Sequence, residues 1–276
     1  MSPTSATPAT TSAQAAEVTP QQAIVQILNQ YKPVVAKLLA RTDIGEETFV
    51  AQIANAMRAT PKLWECEPPT VLGAALRCAQ LAMPPNDGNN LCWIIPYRDK
   101  DTGALHATFQ LGYGGVMELA RRGEPGLVFD GQAVYPGDEF DIDLGNVDKP
   151  LTYRPAYART DSSGHRRGRQ SRKAYAWWVR ARYPDGRTHV HSLDRDDVER
   201  HRSFSRQPDG QAWLKSYDQM ALKSVVLDMK RWLPLSPQLA LAQSADGAVV
   251  DVRDLDAEHP ELPAGTDLSA DEQEAP

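Results

Sequence analysis

The residue types that invite chemistry are mostly cationic. At about 100° per residue, Lys215, Lys223 and Lys230 fall within an arc of about 80° on one helical stretch, with Arg231 at its edge and Trp213, Tyr217, Met220, Ala221 and Val225 opposite. An apolar face docked on a sheet with a lysine row outside would track a phosphate backbone as a line of point charges. The same row also suits a solvated helix face. Arg159, Arg166, Arg167, Arg169, Arg172 and Lys173 form a second basic group, opposed only by Asp161. Glycine and serine loosen that stretch, which fits a flexible arm that captures nucleic acid without reading sequence, or a solubilising loop.

Gly112-Tyr113-Gly114-Gly115 precedes a short helical pattern that ends in Arg121-Arg122. Glycines let backbone N–H groups approach an anion at a helix N-terminus, but the spacing matches neither the dinucleotide nor the P-loop signature. Arg121 and Arg122 also suit the last turn of a helix. His189 and His191 share one strand face, as do Asp141 and Asp143. Either pair would begin a metal site, yet no further ligand has recognisable spacing. No Gly-x-Ser-x-Gly, Walker A or His-Glu-x-x-His motif occurs. The expectation is no covalent catalytic residue, no metal site and no nucleotide hydrolysis.

Elements must place these groups. Residues 1–19 are rich in Ser, Thr, Ala, Pro and Gln and are expected to be disordered. Residues 20–40 carry apolar residues at helical spacing, with Pro33 expected to bend or split the helix. Asp43 and Glu46 fit a capping box for a helix to about Arg58. Pro68-Pro69-Thr70 opens a helix over 70–82. The period then changes to two: 91–97 and 105–111 read as a hairpin, and Gly112–Arg122 as a short helix ended by Gly123. Strands are expected at 127–135, 139–143 and 151–157, followed by an aperiodic loop over 159–172. A hairpin over 175–182 and 187–193 turns at Tyr183-Pro184-Asp185-Gly186. Asp194 caps a helix to about Arg202, a long basic helix spans 211–232, and a short one sits at 237–243. The order predicts an α+β fold, an antiparallel-rich sheet with helices packed on it.

Charge is segregated along the 276 residues. The net charge is 30 − 36 = −6, which on average repels phosphate. Residues 154–231, however, hold 18 bases and 9 acids, while residues 241–276 hold ten acids and one base. A basic half-domain is masked in the sum by an acidic tail. No apolar run reaches about 18 residues, so no membrane span or membrane partner is expected, and the N-terminus lacks a signal-peptide pattern. Three separated cysteines at 66, 78 and 92 imply neither a zinc cluster nor a disulfide framework, which fits a reducing cytoplasm. The organisation read from this is a disordered segment 1–19, one domain over 20–244, and an acidic disordered tail over 245–276.

Six ordered segments together resemble the RecT family of phage and prophage single-strand annealing proteins: VLGAALRCAQLAM (71–83), LCWIIPY (91–97), QLGYGGVMELARRG (110–123), VYPGDEF (134–140), residues 175–182, and WLKSYDQMALKSVVLDMKRWLP (213–234). The resemblance covers about residues 45–242. It implies ATP-independent annealing of complementary strands in homologous recombination by ring or filament homo-oligomers. The implied partners are single-stranded DNA, an annealed duplex intermediate, an exonuclease and the host single-strand-binding protein, in the cytoplasm of a bacterial or phage-infected cell. No cofactor is implied beyond Mg²⁺ as a DNA counterion.

Positions matching the family pattern are Gly112, Tyr113, Gly115, Arg121, Arg122, Trp213, Met220, Lys223, Arg231, Leu233 and Pro234. The family often has basic residues where this chain has Gly114, Leu222, Leu227 and Asp228; Lys215, Lys230 and the 159–173 loop stand as local substitutes. Lys223 and Arg231 are expected on phosphates, with Arg121 and Arg122 as second choices, and Tyr113 as a stacking platform. The acidic tail is expected to fold over the basic surface or to dock a partner. A strand-coating module without annealing activity and a metal-dependent nucleic-acid enzyme are the alternatives.

Overall fold

A computed structural model describes residues 19–40, 42, 44–146, 149–156, 158–160, 163, 166–168, 173–205, 207–234 and 236–252. Five helical segments come first. Helices α1 (Pro20–Gln30) and α2 (Lys32–Leu39) are split at Tyr31, as expected of Pro33, which sits in the first turn of α2 where its missing N–H costs nothing. Helix α3 (Glu46–Ala59) starts on Gly45 with no side-chain cap, which corrects the expected capping box; Asp43 lies outside the described residues. A 3-10 turn (Pro61–Glu65) leads to α4 (Pro68–Gln80), which is buried almost throughout and packs on α1, α2 and the first hairpin. A helix this apolar on all sides belongs in a core.

Strands β1 (Cys92–Arg98) and β2 (Leu105–Leu111) form that antiparallel hairpin, Trp93 opposite Gln110. Cys92 and Ile94 point into the core against α4, while Trp93 and Ile95 face the other way and stay half-buried. Helix α5 (Tyr113–Gly123) follows at once, with Gly112 as its N-cap.

The main sheet is three-stranded: β3 (Val128–Val134), then, after the intervening hairpins, β8 (Ala176–Arg182) and β9 (Thr188–Asp194), ordered β3-β8-β9 and fully antiparallel. Between β3 and β8 the chain makes two small hairpins, β4 (Glu139–Ile142) with β5 (Leu151–Arg154), and β6 (Ala158–Thr160) with β7 (Arg166–Gly168). The last pair corrects the expected loop: Arg159 pairs with Arg167 and Thr160 with Arg166 on the backbone ladder. The alternation in β8 is as expected: Trp177, Val179 and Ala181 join the main core, and Trp178 packs on the opposite face with Leu151 and Val190 under the β4–β5 hairpin. Arg180 on that second face pairs with Asp130 directly across the ladder, Nε to Oδ1 at 3.0 Å.

Asp194 caps α6 (Arg195–Ser203) through a complete capping box with Asp197. The long helix expected over 211–232 is in fact broken. Helix α7 (Gln211–Lys215) ends at Ser216, whose φ of −135° and ψ of 46° leave the helical region, and α8 (Tyr217–Met229) restarts, passing into a 3-10 turn (Lys230–Trp232). Two aromatic anchors account for the break. Trp213 is buried against the α6 end, its Nε1 3.4 Å from Ser205 Oγ. Tyr217 donates to Glu199 at 2.6 Å, while its neighbour Asp218 accepts from Trp177 Nε1 at 3.1 Å and from the Tyr135 hydroxyl. Satisfying both anchors takes Ser216 alone out of the helical conformation. Helix α8 then crosses β3, β8 and β9 on one side and meets α5 on the other, so it is buried on two faces.

Helix α9 (Pro237–Ala245), capped by Ser236, is followed by a docked strap. The start of the expected disordered tail is therefore ordered: Gly247 N–H donates to Phe109 O at 2.9 Å, Val249 bridges Thr108 of β2, and Val252 is buried. A Cβ at Gly73 of α4 would lie 1.9 Å from Val250 O, so only glycine admits the strap there. Residues 253–276 lie outside the described residues.

Candidate nucleic-acid interface

An open groove of about 790 Å³ runs where the outward face of the β1–β2 hairpin, the start of α5, strand β3 and helix α8 converge. Its floor is apolar and aromatic: Trp93 and Ile95 from β1, Tyr113 and Met117 from α5, Phe129 from β3 and Met220 from α8. Its cations are Lys223 on α8 and Lys230 just beyond it, and its carboxylates are Asp246 and Asp130, the latter paired with Arg180. A continuation of about 330 Å³ passes Met117 to Gly114, Arg121 and Arg122.

Lys223 is half-buried, not one of an exposed row, because α8 has a second packed neighbour in α5. Burial pushes its ammonium below the ordinary lysine pKa, and the Asp246 carboxylate partly restores it. Lys230 is paired with Asp246, Nζ to Oδ2 at 3.5 Å. A partly dehydrated ammonium beside an apolar floor is under-solvated, so an arriving phosphate oxygen gains more from it than from a fully hydrated lysine.

The other expected contacts are distributed differently. Lys215 is exposed at the end of α7 and is separated from Lys223 by the break at Ser216, so the shared arc is lost. Arg231 is exposed but held by Asp228, its Nε donating to the Asp228 carbonyl at 3.1 Å and its guanidinium meeting the carboxylate; neither residue lines the groove. Asp228 also bonds His191 Nε2 at 2.8 Å; burial pushes the carboxyl up, but His191 and Arg231 outweigh it and hold it below its usual range. Arg121 is exposed over the Phe129 ring, 5.3 Å from its centroid, at the groove continuation.

Arg122 is tied inward instead. It donates to Leu81 O at 2.5 Å and Ala82 O at 3.2 Å, and to Glu118 at 3.0 Å, closing the orphan carbonyls after α4. The glycine run is occupied by the protein's own backbone: a Cβ at Gly112 would lie 1.9 Å from Asn90 O, and one at Gly115 would lie 2.2 Å from Leu91 O. With Gly114, whose Cβ would lie 2.3 Å from Asn89 O, these glycines seat residues 89–91 against the start of α5. Tyr113 faces the groove, half-buried, its hydroxyl 3.4 Å from Asn90 Nδ2.

Lys173 is exposed just before β8. Arg166 and Arg167 sit on the β7 backbone, and Arg169 and Arg172 lie outside the described residues. The histidine pair has other occupations, His191 with Asp228 and His189 beside the Trp232 ring at 6.2 Å. Among the described residues no group of three or more His, Cys, Asp or Glu side chains converges as a metal site, and no helix is long and apolar enough to cross a membrane.

Trp93, Met117, Phe129 and Asp246 are the groove residues that sequence reasoning missed. Strand β1 is apolar on both faces, so its period does not mark Trp93 as outward, and Asp246 merges into the run of tail acids.

Fold and site define a mixed α+β protein that carries an open, lysine-walled groove with an aromatic floor. The model of the RecT family matches residues 47–261, and the chain belongs to that family as a recombination protein. Protein RecT of Escherichia coli (strain K12) is 26% identical over 227 residues, covering 81% of this chain and 80% of that protein. The uncharacterized protein YqaK of Bacillus subtilis (strain 168) is 25% identical over 207 residues, covering 70% of this chain and 62% of YqaK.

Proposed function

We propose that the protein binds single-stranded DNA in the α8–hairpin groove and anneals complementary strands without ATP, as a strand-handling protein with no covalent catalytic step. The observation that carries this reading is the placement of Lys223 and Lys230 beside a floor of Trp93, Tyr113 and Phe129. An annealer has a narrow physical task. It must neutralise the repulsion between two backbones and leave the bases free to pair. Contacts therefore belong on phosphates and ring faces rather than on base edges. Lys223 and Lys230 supply the first kind and the aromatic floor the second. Arg121 extends the phosphate path past Met117, and Lys215 and Arg231, both exposed, provide outer charges for an approaching second strand.

Copies of the chain arrayed as a ring or filament hold one strand extended while the second samples register, and base-pair free energy then drives zippering. Mg²⁺ serves only as a counterion to the DNA. The source of the strand is an exonuclease, and the competing coat is the host single-strand-binding protein.

A fluorescence annealing assay with complementary oligonucleotides and no nucleotide triphosphate tests this. The expected result is an accelerated second-order rate that Lys223→Met diminishes. Protein that binds each strand yet slows their pairing is a strand coat, and that result would replace the annealing reading.

A further inference from the structure

Asp246 follows α9 directly, and its side chain lines the groove. Its Oδ1 accepts from the Leu111 N–H at 3.0 Å, and its Oδ2 lies 3.5 Å from Lys230 Nζ. The same carboxylate acts electrostatically on Lys223. Its backbone is fixed as well, because the strap is pinned by Gly247 to Phe109 and lies against Gly73. A fixed carboxylate that takes one backbone N–H, pairs with Lys230 and lines the same groove as Lys223 resembles a bound phosphate in what it accepts and attracts.

We propose that Asp246 is a positioning residue that acts as a built-in phosphate surrogate. It holds Lys230 in an ion pair and partly offsets the charge of Lys223 while no strand is bound, and an incoming phosphate must displace it from Lys230 and outcompete it at Lys223. This rests on the groove being the DNA path. The consequence is a weakened grip. One of the phosphate contacts that the lysines would otherwise make is already satisfied internally, so the bound strand stays exchangeable while register is searched.

Asp246→Asn keeps an oxygen for the Leu111 N–H and removes the charge. Binding of a labelled oligothymidine by the full chain, followed by anisotropy across a salt series, reads the effect. Each phosphate neutralised on a single strand contributes about 0.7 to the slope of log K against log salt. The expected result is a slope steeper by about 0.7 and affinity raised about eight-fold at 50 mM salt. Asp246→Glu retains the charge and should keep the wild-type slope. An unchanged slope in folded Asp246→Asn, with Lys223→Met clearly weakened, keeps the groove and overturns the surrogate. Unchanged binding in both Asp246→Asn and Lys223→Met removes the groove reading and the surrogate with it. Weaker binding in Asp246→Asn together with a lowered melting temperature means that the carboxylate only staples the strap, and that too overturns the proposal.

Discussion

Lys223→Met isolates the charge of the groove. Methionine keeps an unbranched apolar stem in the half-buried position, so packing between α8 and α5 is conserved while the ammonium is lost. If Lys223 neutralises one phosphate, the log–log salt slope falls by about 0.7, and affinity drops about eight-fold at 50 mM salt but only about four-fold at 150 mM. That narrowing with salt is the diagnostic feature, since a lost packing contact would shift all salts equally. A pH arm follows from burial. Because burial lowers the Lys223 pKa below its ordinary 10.5, wild-type affinity should begin to fall at lower pH than exposed lysines dictate, and Lys223→Met should lack that early component. Stability carries the same signature. The unfolded chain binds this proton more tightly than the folded one, so wild-type stability rises as pH climbs from the lowered folded pKa toward 10.5, and the variant should not show this rise. Titration of a labelled single strand at several salts and at pH 7 to 10 reads the binding effects. A folded variant with the wild-type slope and the wild-type pH profile would refute the assignment of Lys223 to a phosphate.

Other substitutions probe separate parts of the structure. Trp93→Ala should weaken strand binding by about 1–3 kcal/mol through lost stacking, with the salt slope unchanged; a changed slope in the same titration would show that the ring acts otherwise. Arg122→Ala leaves the carbonyls of Leu81 and Ala82 without their guanidinium and should destabilise the fold by about 1–3 kcal/mol in chemical denaturation. Unaltered stability there would return Arg122 to the DNA surface. Gly115→Ala places a Cβ 2.2 Å from Leu91 O and should unseat α5 from residues 89–91, seen as a lower melting temperature and lost annealing; a wild-type melting curve would contradict the close approach.

Much of the fold is legible in the sequence because local and tertiary preferences agree. Trp177 and Trp178 alternate to opposite faces as a period of two demands, and Asp194 caps its helix because its carboxylate is three residues from the Asp197 N–H. The long helix is not legible in this way. Its apolar face at helical spacing continues through Ser216, and only the packing of Trp213 under the α6 end and the bonds of Tyr217 and Asp218 to other elements break it. That break separates Lys215 from Lys223, and the packing of α8 on α5 sets Lys223 in a groove wall rather than in an exposed row. Glycine at 112 and 115 points correctly to a close approach, but the approaching group is the backbone of residues 89–91 rather than an anion. The β6–β7 pair is invisible for another reason: Arg, Gly and Ser give no burial period, and the pairing is a backbone ladder.

Photo-cross-linking of a single strand carrying 5-iodouracil, with the adducts mapped by mass spectrometry, tests most directly whether the groove holds the strand. Adducts on the peptides that bear Trp93 and Tyr113, reduced in Lys223→Met, are the result the account predicts. Adducts confined to exposed aromatics outside the groove, Tyr175, Phe204 and Trp232, would contradict it.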